Sequence, residues 1–482
     1  MPFKKIALAV LCSVFLLASG LSAQTAQPAP ATYESLLSGY YDNDMRMKEL
    51  NISIQQAEIS YQKTLINNEL TYQLSTGSLS LEAGKNTFGI SISPEASVTI
   101  PEKDNLSVKA SAPVSVKTSS GTTTTSLNNA GVTVSKDIIS TAAETTAINM
   151  EKAERSLGES YRKLYSRQIA LEKEFLSSLK SLFSSRSSLL KAQSTLLDKQ
   201  DALNNLKMQG YLETSSKYRS AVLAEKSAAR KLEEAERSFG ASLSSFAEKC
   251  GVSADDIDLP AIIIPDEELL SITDFDASLY TELESALWSQ YINGRTRANK
   301  SDWTLSANGS VNVSASTDDR VDTTASVKGG VSATYRGLTA SANLSVPIGS
   351  DQKTSSLTMS LTWKPSTQRT KDLDEQSAAL TALQEELSIE QARSSYEDTV
   401  ENYETKRDNL LWQLEEQTDE VEMYKALADD MKGWYDQGYI SESEYKNSVT
   451  QYEDALAALN TTKIDFLTYN RDVEALFIQE GN

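Results

Sequence analysis

Carboxylates are the most abundant side chains of this sequence that could do chemistry, with 67 Asp and Glu against 46 Lys and Arg in 482 residues. Paired carboxylates can act as general acid and general base, but in a chain this rich in them most pairs belong to solvated helix faces. The sequence contains no histidine, which excludes histidine general bases, Ser-His-Asp and Cys-His arrangements and most zinc sites. It also contains no P-loop and no G-x-G-x-x-G motif. We therefore predict no catalytic, cofactor-binding or metal-binding residues, and no enzyme activity.

Residues 1–23 have the pattern of a secretory signal peptide. Lys4 and Lys5 precede an apolar run at 6–20, and an A-x-A-like cleavage site ends at Ala23. The apolar run is shorter than the ~20 residues of a membrane-spanning helix, so we expect removal of this segment rather than a retained anchor. The sequence therefore predicts an exported protein.

The predicted mature chain is strongly acidic and nearly free of cysteine. Removing Lys4 and Lys5 changes the formal net charge from −21 to −23, which argues against binding to nucleic acid or to an anionic membrane surface. Only Cys250 remains, so we expect no internal disulfide. No run of 18 apolar residues follows the signal segment, so we expect no transmembrane helix.

Two long segments of the sequence predict coiled-coil helices. No proline occurs between Pro113 and Pro260 or after Pro365, and the segments 141–249 and 370–477 are rich in good helix formers. Apolar residues recur with a mean spacing of 3.5 residues, which is typical of helices that pack along a coiled-coil seam. A helix over 136–210 would be roughly 110 Å long.

Two other segments, 71–135 and 302–364, alternate polar and apolar residues. In "LTASANLSVPI" at 338–348 every second residue is apolar, and such alternation between turn residues predicts antiparallel hairpins. Each segment has room for up to four strands. The pattern alone is compatible with a sandwich that has one solvated face, and also with strands of a membrane barrel.

The predicted elements occur twice in the same order, with a period near 230 residues. The first repeat, 24–252, contains a helix over 32–69, the first strand segment and a helical hairpin. The second repeat, 276–482, contains a helix over 277–299, the second strand segment and another hairpin. The acidic, proline-containing segment 253–275 is the predicted linker.

Each predicted hairpin reverses at a Gln-Gly-Tyr sequence. Gly210 and Gly438 supply the left-handed conformation that ends a helix, and serines after each glycine supply capping oxygens for the next helix. The apolar residues that follow each glycine would be exposed at a tip, which suggests a binding partner. These apolar residues are Tyr211 and Leu212 in the first copy and Tyr439 and Ile440 in the second.

From about residue 32 to 476 the chain resembles the TolC family of outer-membrane efflux and secretion channels. The resemblance rests on the duplicated halves and on the tip pattern, in which an apolar residue, a serine five positions on and an acidic position follow each glycine. It implies a homotrimer with transmembrane β-barrel strands and an α-helical tunnel across the periplasm. It also implies that the tips bind a periplasmic adaptor protein of an inner-membrane pump. The implied docking residues are Gly210, Tyr211, Leu212, Ser215, Gly438, Tyr439, Ile440 and Ser443.

The resemblance also implies a gate at the periplasmic entrance. Tyr435 and Glu444 match family positions that constrict this entrance. Ser216, Ile440 and Asn447 depart from the pattern, since the family carries an acid, an arginine and a second acid there.

We therefore expect a passive conduit of an efflux or type I secretion system, in the outer membrane with a periplasmic extension. The predicted fold is mainly α with β, with long antiparallel helical hairpins, barrel strands and two repeats. The main alternative is a structural or adhesive coiled-coil surface protein with β-domains. An enzyme with a site built only from carboxylates is a third alternative.

Overall fold

This computed structural model describes residues 31–69, 71–100, 105–318, 320–348 and 354–478. The predicted signal peptide, 1–23, lies outside the described residues. None of the helices in the described part of the chain has a stretch long and apolar enough to cross a membrane.

The described residues form seven α-helices, four of which make two long hairpins. The outgoing helices have 67 and 72 residues, or about 100 and 108 Å, and both returning helices have 35 residues. The hairpins predicted from the proline-free segments are therefore present. The helices are α1 (Tyr33–Asp42), α2 (Met45–Asn68), α3 (Ala142–Met208), α4 (Ser216–Cys250), α5 (Thr281–Ala298), α6 (Pro365–Asp436) and α7 (Glu442–Leu476).

The prediction of one helix over 32–69 is wrong, because the chain breaks between α1 and α2. Asn43 ends α1, and the Asp44 carboxylate then accepts a hydrogen bond from the Met47 N–H at 2.7 Å. Asp44 thus acts as the N-cap of a new helix. Its carboxylate is also hydrogen-bonded to Arg167 of α3, which fixes the break against the long hairpin.

The described residues also form eleven strands in one antiparallel sheet. Four of them belong to the second strand segment, within the limit of up to four that the sequence allowed, and the first segment contains seven. They are β1 (Thr71–Ser75), β2 (Leu79–Gly84), β3 (Thr87–Ile92), β4 (Glu95–Ile100), β5 (Leu106–Ser111), β6 (Val114–Ser119), β7 (Thr122–Ile139), β8 (Trp303–Asp318), β9 (Arg320–Tyr335), β10 (Leu338–Ile348) and β11 (Ser356–Trp363).

The expectation of at most four strands is wrong for the first segment because its strands are interrupted. β1 pairs with β4 and β2 with β3, while β5 and β6 pair with opposite ends of β7. The interruptions fall at Gly77, Pro94 and Pro113, and a register shift follows Leu127 in β7. Gly77 has φ +67°, and proline has no N–H for the ladder. The seven strands therefore form four strand paths, of which three are broken partway along and the fourth, β7, is continuous with a register shift.

The sheet order is β1-β4-β5-β7-β8-β9-β10-β11, and one of its two faces is apolar and exposed. At one end of this face Trp303 pairs with Tyr335, which pairs with Leu338, which pairs with Trp363. The opposite face carries hydroxyl pairs such as Ser341–Ser360, 2.7 Å apart. Further exposed members of the apolar face are Tyr72, Leu74, Val108, Val132, Val134, Val311, Val327, Val331, Leu344, Leu357, Met359 and Leu361.

Two apolar cores lie on either side of α7. In the first, the Phe175 ring of α3 lies 5.4 to 5.7 Å from rings of α1 and α4. In the second, Tyr469 of α7 packs with Tyr280 and Ile389. The segment 253–275 contributes residues to both cores. It is therefore a packed segment that joins the hairpins.

Candidate functional site

Both hairpins reverse through the same backbone turn. The N–H of Gly210 donates to the carbonyl of Lys207 at 3.0 Å, and the N–H of the next residue donates to the carbonyl of Leu206 at 3.2 Å. The second hairpin repeats this pattern from Gly438 to Tyr435 at 2.8 Å, and from the next residue to Trp434 at 2.9 Å. The two glycines have φ +75° and +77°. Each turn is thus a Schellman motif that needs a left-handed residue.

The helices after the two turns begin with serine caps, as the sequence predicted, but the caps differ. The Ser215 hydroxyl accepts a hydrogen bond from the Tyr218 N–H at 3.3 Å and caps α4. Ser441 caps α7, and the Glu444 carboxylate accepts a hydrogen bond from the Ser441 N–H at 2.8 Å. This reciprocal pair is a capping box. The backbone N–H and hydroxyl of Ser441 hold the pKa of Glu444 below its ordinary value.

The tip of the first hairpin exposes apolar side chains. Leu212 is 74% exposed, and Tyr211 is partly covered by the Lys217 ammonium, 5.5 Å from its ring centroid. In the second tip Tyr439 is 76% exposed and Ile440 is half-buried. The apolar residues expected at the tips are therefore largely accessible there.

The predicted gate residues lie on the two helices of the second hairpin. The Tyr435 ring at the end of α6 stacks on the Tyr445 ring of α7, with centroids 5.3 Å apart and planes 11° apart. Tyr445 follows Glu444, so the two predicted gate residues lie at the same tip. Both are exposed, and the Glu444 carboxylate is turned back onto its own helix end by the capping box.

One residue that contacts the second tip was not predicted from the sequence. The Asp198 carboxylate of α3 accepts hydrogen bonds from the Ser443 hydroxyl and the Asn447 amide, each at 2.8 Å. The Ser194 hydroxyl also bonds to Asn447. Ser443, expected at the docking surface, is therefore buried against the first hairpin. No local pattern indicates Asp198, since its partners are about 245 residues away.

Ion pairs continue this contact between α3 and α7 away from the tips. Lys180 Nζ lies 2.7 Å from Asp465 Oδ1, and in this pair and the three others given below the basic residue is on α3. The basic helix and the acidic helix are thereby fixed in register along their length. The other pairs are Lys173–Asp472 at 2.5 Å, Arg186–Glu453 at 3.3 Å and Lys191–Asp454 at 3.1 Å.

Arg471 of α7 forms a junction between the hairpins and the linking segment. Its guanidinium lies 2.9 Å from Glu172 of α3, 3.0 Å from Glu267 of the linking segment and 2.9 Å from Glu474. Burial lowers the pKa of Arg471, but the surrounding carboxylates outweigh that effect and raise it overall. A charge that remains fixed and is paired on three sides holds α3, α7 and the linking segment together.

Comparisons with solved structures find outer-membrane proteins. The chain is 12% identical to the Campylobacter jejuni outer membrane channel CmeC, covering 93% of this chain and 87% of that one with a TM-score of 0.46. The chain is 9% identical to the Vibrio cholerae outer membrane protein VceC, covering 92% of this chain and 96% of that one with a TM-score of 0.46. It is 13% identical to the open state of the Neisseria gonorrhoeae outer membrane channel MtrE, covering 92% of this chain and 88% of that one with a TM-score of 0.41. No curated protein sequence matches the chain.

Two family models match consecutive parts of the chain. Residues 36–268 match the TP096X N-terminal domain, and residues 265–480 match the TP096X C-terminal domain. The boundary between them falls in the linking segment, where the two apolar cores meet. The chain belongs to the TP096X family.

Proposed function

We propose that this protein is a TolC-like channel of the outer membrane, in which three copies form one conduit. The exposed apolar face of the sheet is the observation that carries the proposal. An apolar sheet face of this extent is unfavourable in water, whereas outward-facing apolar residues are typical of strands that face lipid.

The dimensions of the apolar face agree with a membrane. On β8 it extends from Trp303 to Ala315, or roughly 40 Å along the strand. At a tilt of about 45° this corresponds to roughly 28 Å, close to the ~30 Å hydrocarbon thickness of a bilayer. Trp303, Tyr335 and Trp363 lie at the end of the face next to the helices, where aromatic residues are expected at a membrane interface.

The long hairpins would then extend into the periplasm as a tunnel about 100 Å long. Each copy would contribute its sheet to a shared barrel, since β1 and β11 are the two ends of the strand order. The hydroxyl-lined face would border the pore. Residues 1–23 would direct export and be removed.

The tips would form the periplasmic mouth. We propose that Tyr211 and Leu212, with Tyr439 and Ile440, bind a periplasmic adaptor of an inner-membrane efflux or secretion pump. Tyr435 and Glu444 would narrow the entrance, and the contacts of Asp198 would hold the second hairpin closed on the first. Opening would be a separation of these hairpins, favoured by adaptor binding.

Purification in detergent from the native membrane tests this function. We expect the protein in the outer-membrane fraction, with a particle mass of three copies, together with an adaptor and a pump. A monomer that is released without detergent would overturn the proposal.

A matched pair of variants tests the gate assignment separately. Tyr435→Ala combined with Glu444→Ala should increase single-channel conductance in planar bilayers, while Lys432→Ala, one turn before Tyr435, should not. Equal conductance of the double variant and the unmodified protein would remove these residues from the gate.

A further inference from the structure

Helix α2 presents a stripe of exposed apolar residues with strict heptad spacing. Met45, Ile52, Ile59 and Ile66 are 68%, 56%, 52% and 64% exposed, and each is seven residues after the last. Residues seven apart lie on one side of a helix, as in a coiled-coil seam. The opposite side of α2 contacts α3, where Ile54 is buried. The stripe is therefore an accessible apolar surface, which we call the α2 stripe.

Helix α6 presents a second stripe with the same spacing. Leu373, Leu380 and Leu387 are 65%, 69% and 57% exposed, again seven residues apart. On another side of this part of α6, Glu385 bonds to Arg297 of α5 at 2.7 Å. We call the three leucines the α6 stripe.

α2 and α6 are the two outer helices in a row of four helices, which are α2, α3, α5 and α6. α2 is joined to α3 by the hydrogen bond from Tyr161 to Glu58 at 2.5 Å. α3 is joined to α5 through Arg155 and Glu284, and α5 to α6 as above. α2 leads directly into β1, and α6 directly follows β11, so the stripes also adjoin the two ends of the strand order.

The stripes match in their distance from the sheet. Counted back from Glu69, the cap of α2, the residues Ile59, Ile52 and Met45 are 10, 17 and 24 positions away. Counted forward from Pro365, the first residue of α6, the three leucines are 8, 15 and 22 positions away. Within each of the three pairs, the two distances from the sheet differ by two residues, or roughly 3 Å along the helix. Because α2 runs towards the sheet and α6 away from it, the stripes match as antiparallel helices.

Charges beside the stripes are complementary. Lys48 is 21 residues from Glu69, and Glu386 is 21 residues from Pro365; both are exposed. α2 contains three basic and two acidic residues, while the part of α6 over 372–390 contains six acidic residues and no basic one. Flanking opposite charges set the partner and orientation of a coiled-coil pair.

We propose that the α2 stripe of one copy packs antiparallel on the α6 stripe of a second copy, with Ile59 facing Leu373, Ile52 facing Leu380 and Met45 facing Leu387. This rests on the proposed function, which requires several copies. Each copy uses both of its stripes, so the contact is head-to-tail and closes into a ring. The seam continues the edge of the sheet and seals the helical wall beneath it.

Disulfide crosslinking of the full chain in detergent tests the seam. The paired variant is Ile52→Cys with Leu380→Cys. Of the two native cysteines, Cys12 lies in the predicted signal peptide and Cys250 is 2% exposed. Burial raises the pKa of the Cys250 thiol to about 12, which keeps it unreactive under mild oxidation.

We expect covalent dimers and trimers of the paired variant, reversible by reductant, and monomers from each single variant. Ile52→Cys with Leu373→Cys is the mismatched control. In the proposed register Leu373 is seven residues from the residue that faces Ile52, or roughly 10 Å along the helix, too far for a disulfide. Covalent dimers of the Ile52→Cys variant alone, or thiol loss in the paired variant without covalent dimers, would overturn the seam.

A charge exchange gives an independent readout in the same protein. Lys48→Glu should reduce the trimer fraction severalfold at low salt, and adding Glu386→Lys should restore it. A reduced trimer fraction that is not restored would contradict the antiparallel register. The same preparations report on the proposed function, since conducting trimers without the crosslink overturn only the seam, whereas non-conducting monomers overturn the function itself.

Discussion

The hairpins α3–α4 and α6–α7 end in the same Schellman turn, yet they carry opposite net charges. α3 and α4 contain 18 basic and 13 acidic residues, a net charge of +5. α6 and α7 contain 10 basic and 26 acidic residues, a net charge of −16. A shared backbone therefore fixes the lengths and turns, while the side chains differ.

The difference in charge shows how two similar hairpins are held side by side in one register. Basic residues of α3 face acidic residues of α7, and the series ends at Asp198, where hydrogen bonds replace ion pairs. The start of α7 at the second tip is held by the Tyr435–Tyr445 stack and a capping box. Both tips expose an apolar side chain, Leu212 in the first and Tyr439 in the second, but of these two described tips only the second has a stacked ring pair and a capping box.

Arg471 provides the largest expected effect on this pairing. Arg471→Met leaves Glu172 and Glu267 without their shared cation, which should lower the free energy of unfolding by about 3 kcal/mol. Lys463→Met is the control, because its partner Asp266 is 80% exposed and such pairs contribute under ~1 kcal/mol. Denaturant unfolding measures both. An equally small decrease in the free energy of unfolding for both variants would show that other contacts join the hairpins.

Asp198 tests whether the contact between α3 and the start of α7 holds the proposed entrance closed. Asp198→Ala removes the acceptor of two hydrogen bonds, and should make local opening of the start of α7 easier by about 1–2 kcal/mol. Channel conductance should rise with it. Lys199→Ala, at the exposed neighbouring position, serves as the control. Hydrogen exchange of 442–450 and bilayer recordings measure the two effects, and faster exchange without higher conductance would limit Asp198 to a structural role.

The two glycines test whether the turns are equivalent. A Cβ at Gly210 or Gly438 meets no atom within 4 Å, so alanine at either position is opposed only by the left-handed backbone, at about 1 kcal/mol. We expect equal losses in local opening free energy at both tips. Gly433→Ala, inside α6, should instead stabilise by about 0.5–1 kcal/mol. Unequal losses at the tips would mean that one turn bears a contact that the other lacks.

Lowering the pH should destabilise the second tip and not the first, with a smaller effect than the substitutions above. The pKa of Glu444 is lowered in the folded state, so its stabilising effect is complete above the ordinary glutamate pKa and is lost as the pH falls through the lowered value. Ser216 occupies the corresponding place in the first hairpin. Hydrogen exchange, corrected for intrinsic rates, should show fraying of the second tip as the pH falls below the ordinary glutamate range. The same fraying in a Glu444→Gln variant would exclude this carboxylate as the cause.

The sequence alone predicts the long elements well, because their signals are local and repeated. The proline-free heptad repeats predict both hairpins, and the Gln-Gly-Tyr sequences predict both turns. The alternation of polar and apolar residues predicts the strand segments. The break at Asn43 was missed because its cap, Asp44, also depends on Arg167 in another helix. The interruptions at Pro94 and Pro113 were missed because several short strands replace each long one.

The contacts that hold the second tip against the first hairpin were less predictable. The capping signal around Ser441 and Glu444 is visible in the sequence, and both residues do form the cap. The partner role of Asp198 depends on the register between α3 and α7, which is set by ion pairs between residues 260 to 300 positions apart. No pattern within one helix contains that information.

Bilayer recording of the purified, unmodified protein tests the central claim most directly. The account predicts long-lived, uniform conductance steps from particles with the mass of three copies, and no steps from detergent alone. Particles that insert without conducting, or a protein that remains a monomer in water without detergent, would contradict it.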